Sequence, residues 1–226
     1  MTPERRAAER FRHTRQLRGY AGGKIAWDPA YGYLASEIQG SVRPILDIGC
    51  GVGLLAVYLR ERGCAQAIRG IEPDAAKIAI ANDVATAYDG LEFAVGDARE
   101  LPEFSGDVVM LDVLHYMDAP TQRDVLKAIA ARVAPGGRAF IRTTFRDRSW
   151  RYAMTLLEEA LIRTIGWIRG GRCCFPTKDD VVAPLSDSGL ACDVRPLWGR
   201  TPFNSYLVEA RREDQAVRAA NSSQRA

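Results

Sequence analysis

The sequence predicts an α/β protein whose parallel sheet is covered by helices on both faces. Two observations carry that expectation. Between Val42 and Thr144, short apolar runs alternate with helix-length amphipathic segments, the rhythm of parallel strands joined by helical crossovers. The first run continues into ILDIGCGVGLLAVYL at residues 45–59, with glycines at 49, 51 and 53. A glycine turn between a buried strand and a helix is a common place for a ligand.

In chain order, the strands are expected at Ile45–Ile48, Ala67–Glu72, Leu91–Val95, Val108–Leu111 and Arg138–Thr143. Helices are expected at Leu54–Arg62, Pro73–Tyr88 and Pro120–Val133, the last stopped by Ala134-Pro135-Gly136-Gly137. Ahead of them, an arginine-rich helix should end near Gly22–Gly23, and a second should run from Ala30 to Gln39 with Gly40 as its stop. After Thr144 the alternation breaks. Ser149–Arg169 reads as one long amphipathic helix with Trp150, Met154, Leu157, Leu161, Ile165 and Ile168 on a stripe. That stripe is expected to pack on the core, although it also fits a lid or a homodimer face. Thr177 should cap a further helix, with Asp179 and Asp180 at its positive end and Gly189 beyond its far end. Ala191–Leu197 and Phe203–Ala210 read as closing strands, and a polar, disordered tail should follow. The expected organisation is a helical cap over 1–41, a main domain over 42–211 with a lid-like insertion at 145–175, and a tail over 212–226.

With 226 residues, 47% hydrophobic and 26% charged, the chain has the length and balance of one globular α/β domain with additions. A formal net charge of +3 is too small to imply nucleic acid binding. The five cysteines show no CxxC spacing, which counts against a zinc site or a disulfide framework; Cys173–Cys174 reads as a part-buried apolar patch. No signal-like core opens the sequence, and no apolar run has the length of a membrane span, so a cytoplasmic location is expected.

The glycine turn is the most informative stretch. A dinucleotide fingerprint needs its third glycine three residues after the second, a position that Leu54 occupies here. A phosphate loop needs a lysine followed by Ser or Thr, and none lies nearby. What remains is an acid two residues before GxGxG: Asp47-Ile48-Gly49-Cys50-Gly51-Val52-Gly53. Pyrophosphate favours bare amides and a helix dipole, whereas a ligand with an amine and a sulfonium gains from a carboxylate such as Asp47.

LDIGCGVG, GIEP, VGDARELP, VVMLDVLHYM and APGGRAFIRT follow one another in order and at ordinary spacing. Together they resemble the class I S-adenosylmethionine-dependent methyltransferases over about Val42 to Arg211. The resemblance implies a Rossmann-like, seven-stranded mixed sheet with an antiparallel last strand. It implies S-adenosylmethionine as cofactor, held by Asp47, Gly49, Cys50, Gly51 and Gly53. It also implies that Glu72, beside Pro73, grips the ribose hydroxyls and that Asp97, beside Ala98, meets the adenine amine. Asp112 is expected to border the methionine part.

His115, one of two histidines, lies just past the fourth strand, where this family borders its acceptor. It is the candidate base for an O- or C-acceptor, and a packing or lid role suits the same place. Tyr116 is expected to line the pocket. The N-terminal cap offers Lys24 to the cofactor and Tyr20, Trp27 and Tyr31 to the substrate. Arg142, Arg146, Arg148 and Arg151 beside apolar residues suit an elongated acceptor with an anionic end, such as an acyl or aryl-acyl group, either free or carried on a phosphopantetheine. KIAWDPAY, GWIRG and GRTPFNSYLVEAR also resemble, more loosely, methyltransferases of bacterial aryl polyene or xanthomonadin-type pigment pathways. Nucleic acid acceptors are disfavoured, since no Pro-Pro-aromatic sequence follows the fourth strand and no Pro-Cys dipeptide occurs. The competing readings are a protein or RNA methyltransferase, an aminopropyltransferase of the same fold, and a cofactor-binding protein without catalysis.

Overall fold

The computed structural model describes residues 1–164, 173–199 and 201–214. Its strands are β1 (Ile45–Ile48), β2 (Ile68–Glu72), β3 (Leu91–Val95), β4 (Asp107–Leu111), β5 (Arg138–Thr144), β6 (Ala191–Pro196) and β7 (Ser205–Arg211). They form a mixed seven-stranded sheet in the order β3-β2-β1-β4-β5-β7-β6. β7 runs antiparallel to both β5 and β6, whereas β1–β2, β2–β3 and β4–β5 are parallel pairs. The expected fold class is therefore present. Packing divides the chain into two compact units, Met1–Glu100 and Leu101–Ala226.

In the first unit, helices α1 (Pro3–Arg10), α2 (Arg15–Trp27) and α3 (Pro29–Ile38) precede the sheet, and α4 (Leu54–Glu61) and α5 (Ala75–Ala85) follow β1 and β2. The single N-terminal helix expected from sequence is two. Thr14 caps α2 by accepting a hydrogen bond from the Leu17 amide at 3.0 Å, which starts a new helix there. Gly22 and Gly23 lie inside α2 rather than ending it. A Cβ at Gly22 would sit 3.8 Å from the Ala8 Cβ, ordinary contact distance, so α2 passes beside α1 at this point. Likewise α5 begins at Ala75 and not Pro73, because Asp74 is its cap and accepts from the amides of Ala76 and Lys77. At its far end, α4 is tied to the sheet edge by Arg60, which donates to the carbonyls of Cys64, Gln66, Asp89 and Gly90.

β1 is buried throughout, and Asp47 is the one ionisable side chain in it. In register, Asp47 lies beside Gly70 of β2, which lies beside Phe93 of β3. Phe93 is buried and crowds two glycines at once. A Cβ on Gly70 would stand 2.4 Å from its ring and 2.8 Å from the Cys50 sulfur, and one on Gly53 would stand 2.8 Å from the same ring. The glycine turn thus rests on an aromatic floor that β3 supplies.

The second unit holds β4, a 3-10 turn (Leu114–Tyr116), α6 (Ala119–Arg132), β5, α7 (Trp150–Thr164), α8 (Lys178–Asp187), β6 and β7. Thr177 caps α8 and Gly189 lies beyond its end, as the sequence predicts; the structure adds that the cap is a reciprocal box with Asp180 and that Gly189 has φ 82°. For the described first half of the α7 stripe the core expectation fails. Trp150, Met154 and Leu157 are exposed, while Thr155 faces inward, its hydroxyl accepting from the buried Asn204 amide at 3.0 Å. The helix turns its polar side in because the neighbouring 145–147 and 201–206 segments present hydrogen-bonding groups: Asn204 Nδ2 also donates to the Phe145 carbonyl and to Asp147. The expectation for the Leu161 side chain and for residues 165–169, with Ile165 and Ile168, lies outside the described residues. β7 extends to Arg211, and Arg212, assigned by sequence to the tail, donates to the Val133 and Ala130 carbonyls at the end of α6.

Replacing Gly70 by alanine should destabilise the fold by about 1–3 kcal/mol through overpacking against Phe93. Urea unfolding measures it, and Phe93→Leu in the same chain should recover part of the loss. A cost below about 0.5 kcal/mol for Gly70→Ala, the size of an ordinary surface change, contradicts the aromatic floor.

Candidate functional site

The first unit brings Asp47, Cys50, Gly51, Gly53 and Glu72 together. Gly49, Gly51 and Gly53 all have positive φ (74°, 57° and 78°), a conformation that L side chains resist. The turn is fastened to β2, since the amides of Gly49 and Cys50 both donate to the Ile71 carbonyl (2.8 and 3.1 Å). At the end of β2, Glu72 is buried. Its carboxylate accepts from the Gly51 amide at 3.2 Å and from Lys77 Nζ at 3.1 Å. The Glu72 carbonyl in turn accepts from Gly96 at 3.2 Å, which anchors the chain just before Asp97. Asp97 accepts from the side chain and the amide of Arg99, and these bonds hold its carboxyl below the usual range. Ala98 is buried beside it, and Pro73 is exposed.

Asp47 is the unusual group. It is 3% exposed, and among the described residues its Oδ2 accepts no hydrogen bond. Burial first, and then the neighbouring Glu72 charge, push its carboxyl up to about 7. Burial together with the same two acids pushes the Cys50 thiol far up, so that it stays neutral. A Cβ on Gly51 would meet nothing within 4 Å. An unsatisfied buried carboxylate oxygen, a second buried acid and an open backbone turn suit a ligand that brings positive charge and hydroxyl donors. A pyrophosphate here would set its charge against both acids. These residues fit the S-adenosylmethionine that the sequence resemblance implies.

The second unit holds Asp112, His115 and Tyr116. Asp112 is the one non-glycine residue with positive φ (59°) among the described residues, a costly backbone state for an L residue. Arg142 of β5 holds it: the guanidinium donates to both Asp112 oxygens, Nε to Oδ1 at 2.9 Å and Nη2 to Oδ2, and the Asp112 amide donates to the Arg142 carbonyl at 3.0 Å. Arg142 is buried and grouped with Asp112, not with the exposed Arg146 and Arg148. His115 is buried between rings, stacked on Phe175 at 5.4 Å and tilted on Tyr116 at 4.3 Å. Tyr116 itself is half-exposed.

The remaining acceptor candidates belong to both units. Arg151 lies over the faces of both Trp150 and Trp198 (4.8 and 4.4 Å) and donates to the Thr201 carbonyl. In the first unit, Tyr20 and Trp27 are exposed, and Lys24 pairs with Asp28 at 3.0 Å. Tyr31 is buried edge-on against Tyr58 of α4. Sequence reasoning missed Lys77, Arg99 and Gln122. A signal existed for the first two, since each follows its acid within a short turn, in EPDAAK and DAR.

Residues 24–193 match a family model described as a methyltransferase domain. The chain belongs to that methyltransferase-domain family. Among its relatives is a ubiquinone biosynthesis O-methyltransferase from Stutzerimonas stutzeri, 30% identical over 57% of this chain and 56% of the relative. Another from Aeromonas salmonicida is 31% identical over 54% and 51%. This methyltransferase-family chain therefore matches only about half the length of these relatives. Similar solved structures include magnesium protoporphyrin IX methyltransferase from Synechocystis with bound SAH (TM-score 0.66, 21% identity, 91% and 94% covered). The mitomycin 7-O-methyltransferase MmcR is also similar (0.67, 19%, 94% and 61%). These likenesses confirm the fold.

The raised Asp47 carboxyl has a consequence for stability. Its folded value, about 7, lies above the ordinary 3.8, so between those values the folded state keeps a proton that the unfolded state releases. Stability of the ligand-free protein is then lost as pH rises through that window. Asp47→Asn should gain stability relative to the parent between pH 5 and pH 8 on denaturant titration. A difference that does not change with pH contradicts the assignment.

Proposed function

We propose that this chain is an S-adenosylmethionine-dependent methyltransferase acting on a small, lipophilic aryl or acyl acceptor. The observation that carries the reading is the pair of buried carboxylates, Asp47 and Glu72, set on a left-handed glycine turn with the Gly51 amide bonded to Glu72. When bound, S-adenosylmethionine supplies an electrophilic methyl group on a sulfonium. Glu72 would hold the ribose through its hydroxyls, Asp97 the adenine amine, and Asp47 would balance the positive charge.

Transfer of a methyl group to a hydroxyl or an acidic carbon requires that a proton leave the acceptor. His115 is the base that takes it, at an imidazole nitrogen, and its burial between Tyr116 and Phe175 keeps water from competing. Arg142 holds Asp112 in its strained conformation, so the chain after β4 has a fixed path. The aryl or acyl preference draws support from the half-exposed Tyr116 ring beside His115 and from relatives named for ubiquinone biosynthesis. Arg151, stacked on two indoles, is the choice among the arginines for an acceptor's anionic end.

Two measurements test this. S-adenosylhomocysteine should raise the melting temperature of the parent and not of Glu72→Ala; equal shifts in both would remove Glu72 from the site. His115→Ala should keep cofactor affinity and lose about a hundredfold or more in turnover, assayed as a one-methyl mass gain on aryl or acyl candidates. Undiminished turnover would exclude His115 as the base.

A further inference from the structure

Gln122 lies in the first turn of α6 and is 3% exposed. The helix does not need it as a cap, because Asp118 already accepts from the Thr121 amide at 3.0 Å. Its side-chain Nε2 instead donates to three carbonyls: Leu114 at 3.1 Å, Met117 at 3.0 Å and Cys174 at 2.6 Å. Three acceptors around one terminal atom require that atom to be the amide nitrogen, with one of its two protons shared.

The carbonyls are not a random set. Leu114 begins the 3-10 turn that carries His115, and Met117 closes it. Cys174 belongs to a distant segment, 52 residues on from Gln122. Cys174 commits both of its backbone groups here, since its amide also donates to the His115 carbonyl at 2.8 Å. The next residue, Phe175, is the one stacked on the His115 imidazole at 29° between planes. Phe175 in turn takes the edge of Tyr152 at 5.8 Å, and the Pro176 carbonyl accepts from the Arg146 amide at 2.8 Å. Gln122 is thus the side chain that joins both ends of the His115 turn to the strip of chain covering that imidazole.

We propose that Gln122 is a positioning residue that fixes the His115 ring by locking the Cys174–Phe175 segment onto the 114–117 turn. The proposal rests on the reading of His115 as the base, but its first test does not. The chain contains two histidines. His13, bonded to Asp83 at 2.8 Å in the first unit, serves as an internal reference in a histidine-selective NMR spectrum of the full chain without cofactor.

In Gln122→Met, which keeps length but has no donor, the His115 ring-proton resonances should move away from their ring-current-shifted positions toward those of free imidazole. Those of His13 should stay. Phe175→Leu should move the His115 resonances in the same direction, which identifies the stack as what is read. Gln122→Asn, which keeps the amide and withdraws it by one methylene, is the gentler variant should the methionine form not fold, and the same displacement is expected. Loss of stability alone would lower the melting temperature and leave the folded-state resonances in place. Unmoved His115 resonances in a folded Gln122 variant overturn the proposal. In turnover, the variant should lose about tenfold or more in kcat with cofactor affinity unchanged, the cost of a misplaced reacting group. Failure of the base reading would show separately, as full turnover in His115→Ala alongside a displaced His115 signal in the Gln122 variant.

Discussion

The hydrogen bond from the Gly51 amide to Glu72 joins the two features on which the rest of the first unit depends. On one side is a turn that needs three residues in the left-handed region, which glycine adopts at little cost. On the other is a carboxylate buried at the end of β2. The bond fixes the open backbone of the turn to the acid that a ribose would need. β1 and β2 must be in register for it to form, and Gly70 must be bare so that Phe93 can lie beneath the turn. Burying Asp47 beside Glu72 has an electrostatic cost, visible in a carboxyl held near 7 without a ligand. A cation at this place relieves that cost, so the site gains most from the class of ligand it is proposed to bind.

The second unit uses a different device. Its candidate residues are His115, in a short turn, and Asp112, whose backbone is strained, and neither sits on a long element. Arg142 from β5 holds Asp112, and Gln122 from α6 holds the turn of His115. In both cases a buried polar side chain on a rigid element satisfies groups on an irregular one. Such arrangements are sensitive to substitution because the orphaned groups stay buried.

Much of this was legible in the sequence. The strands, the glycine turn, Glu72 at the end of β2 and the cap at Thr177 rest on local rules, periodicity and capping, that tertiary packing did not override. Errors arose where packing decided. Gly22–Gly23 read as a stop, yet α2, started by the Thr14 cap, runs through both glycines to Trp27. The stripe on α7 read as a core face, yet Asn204 draws the polar side inward. Gln122 carried no signal at all: its three acceptors are backbone carbonyls, which no sequence pattern advertises. Tyr31 looked like a lid aromatic, and only the structure shows it packed on Tyr58.

The central claim is that Asp47 and Glu72 form a buried acidic pair tuned to a cationic cofactor. Calorimetric titration with S-adenosylmethionine at pH 6, repeated in buffers of different ionisation enthalpy, tests it most directly. With the Asp47 carboxyl near 7 before binding, association should release about one proton as the cation ionises it. Asp47→Asn should bind, if at all, without that release. Absence of binding, or binding whose proton release is unchanged by Asp47→Asn, would contradict the account.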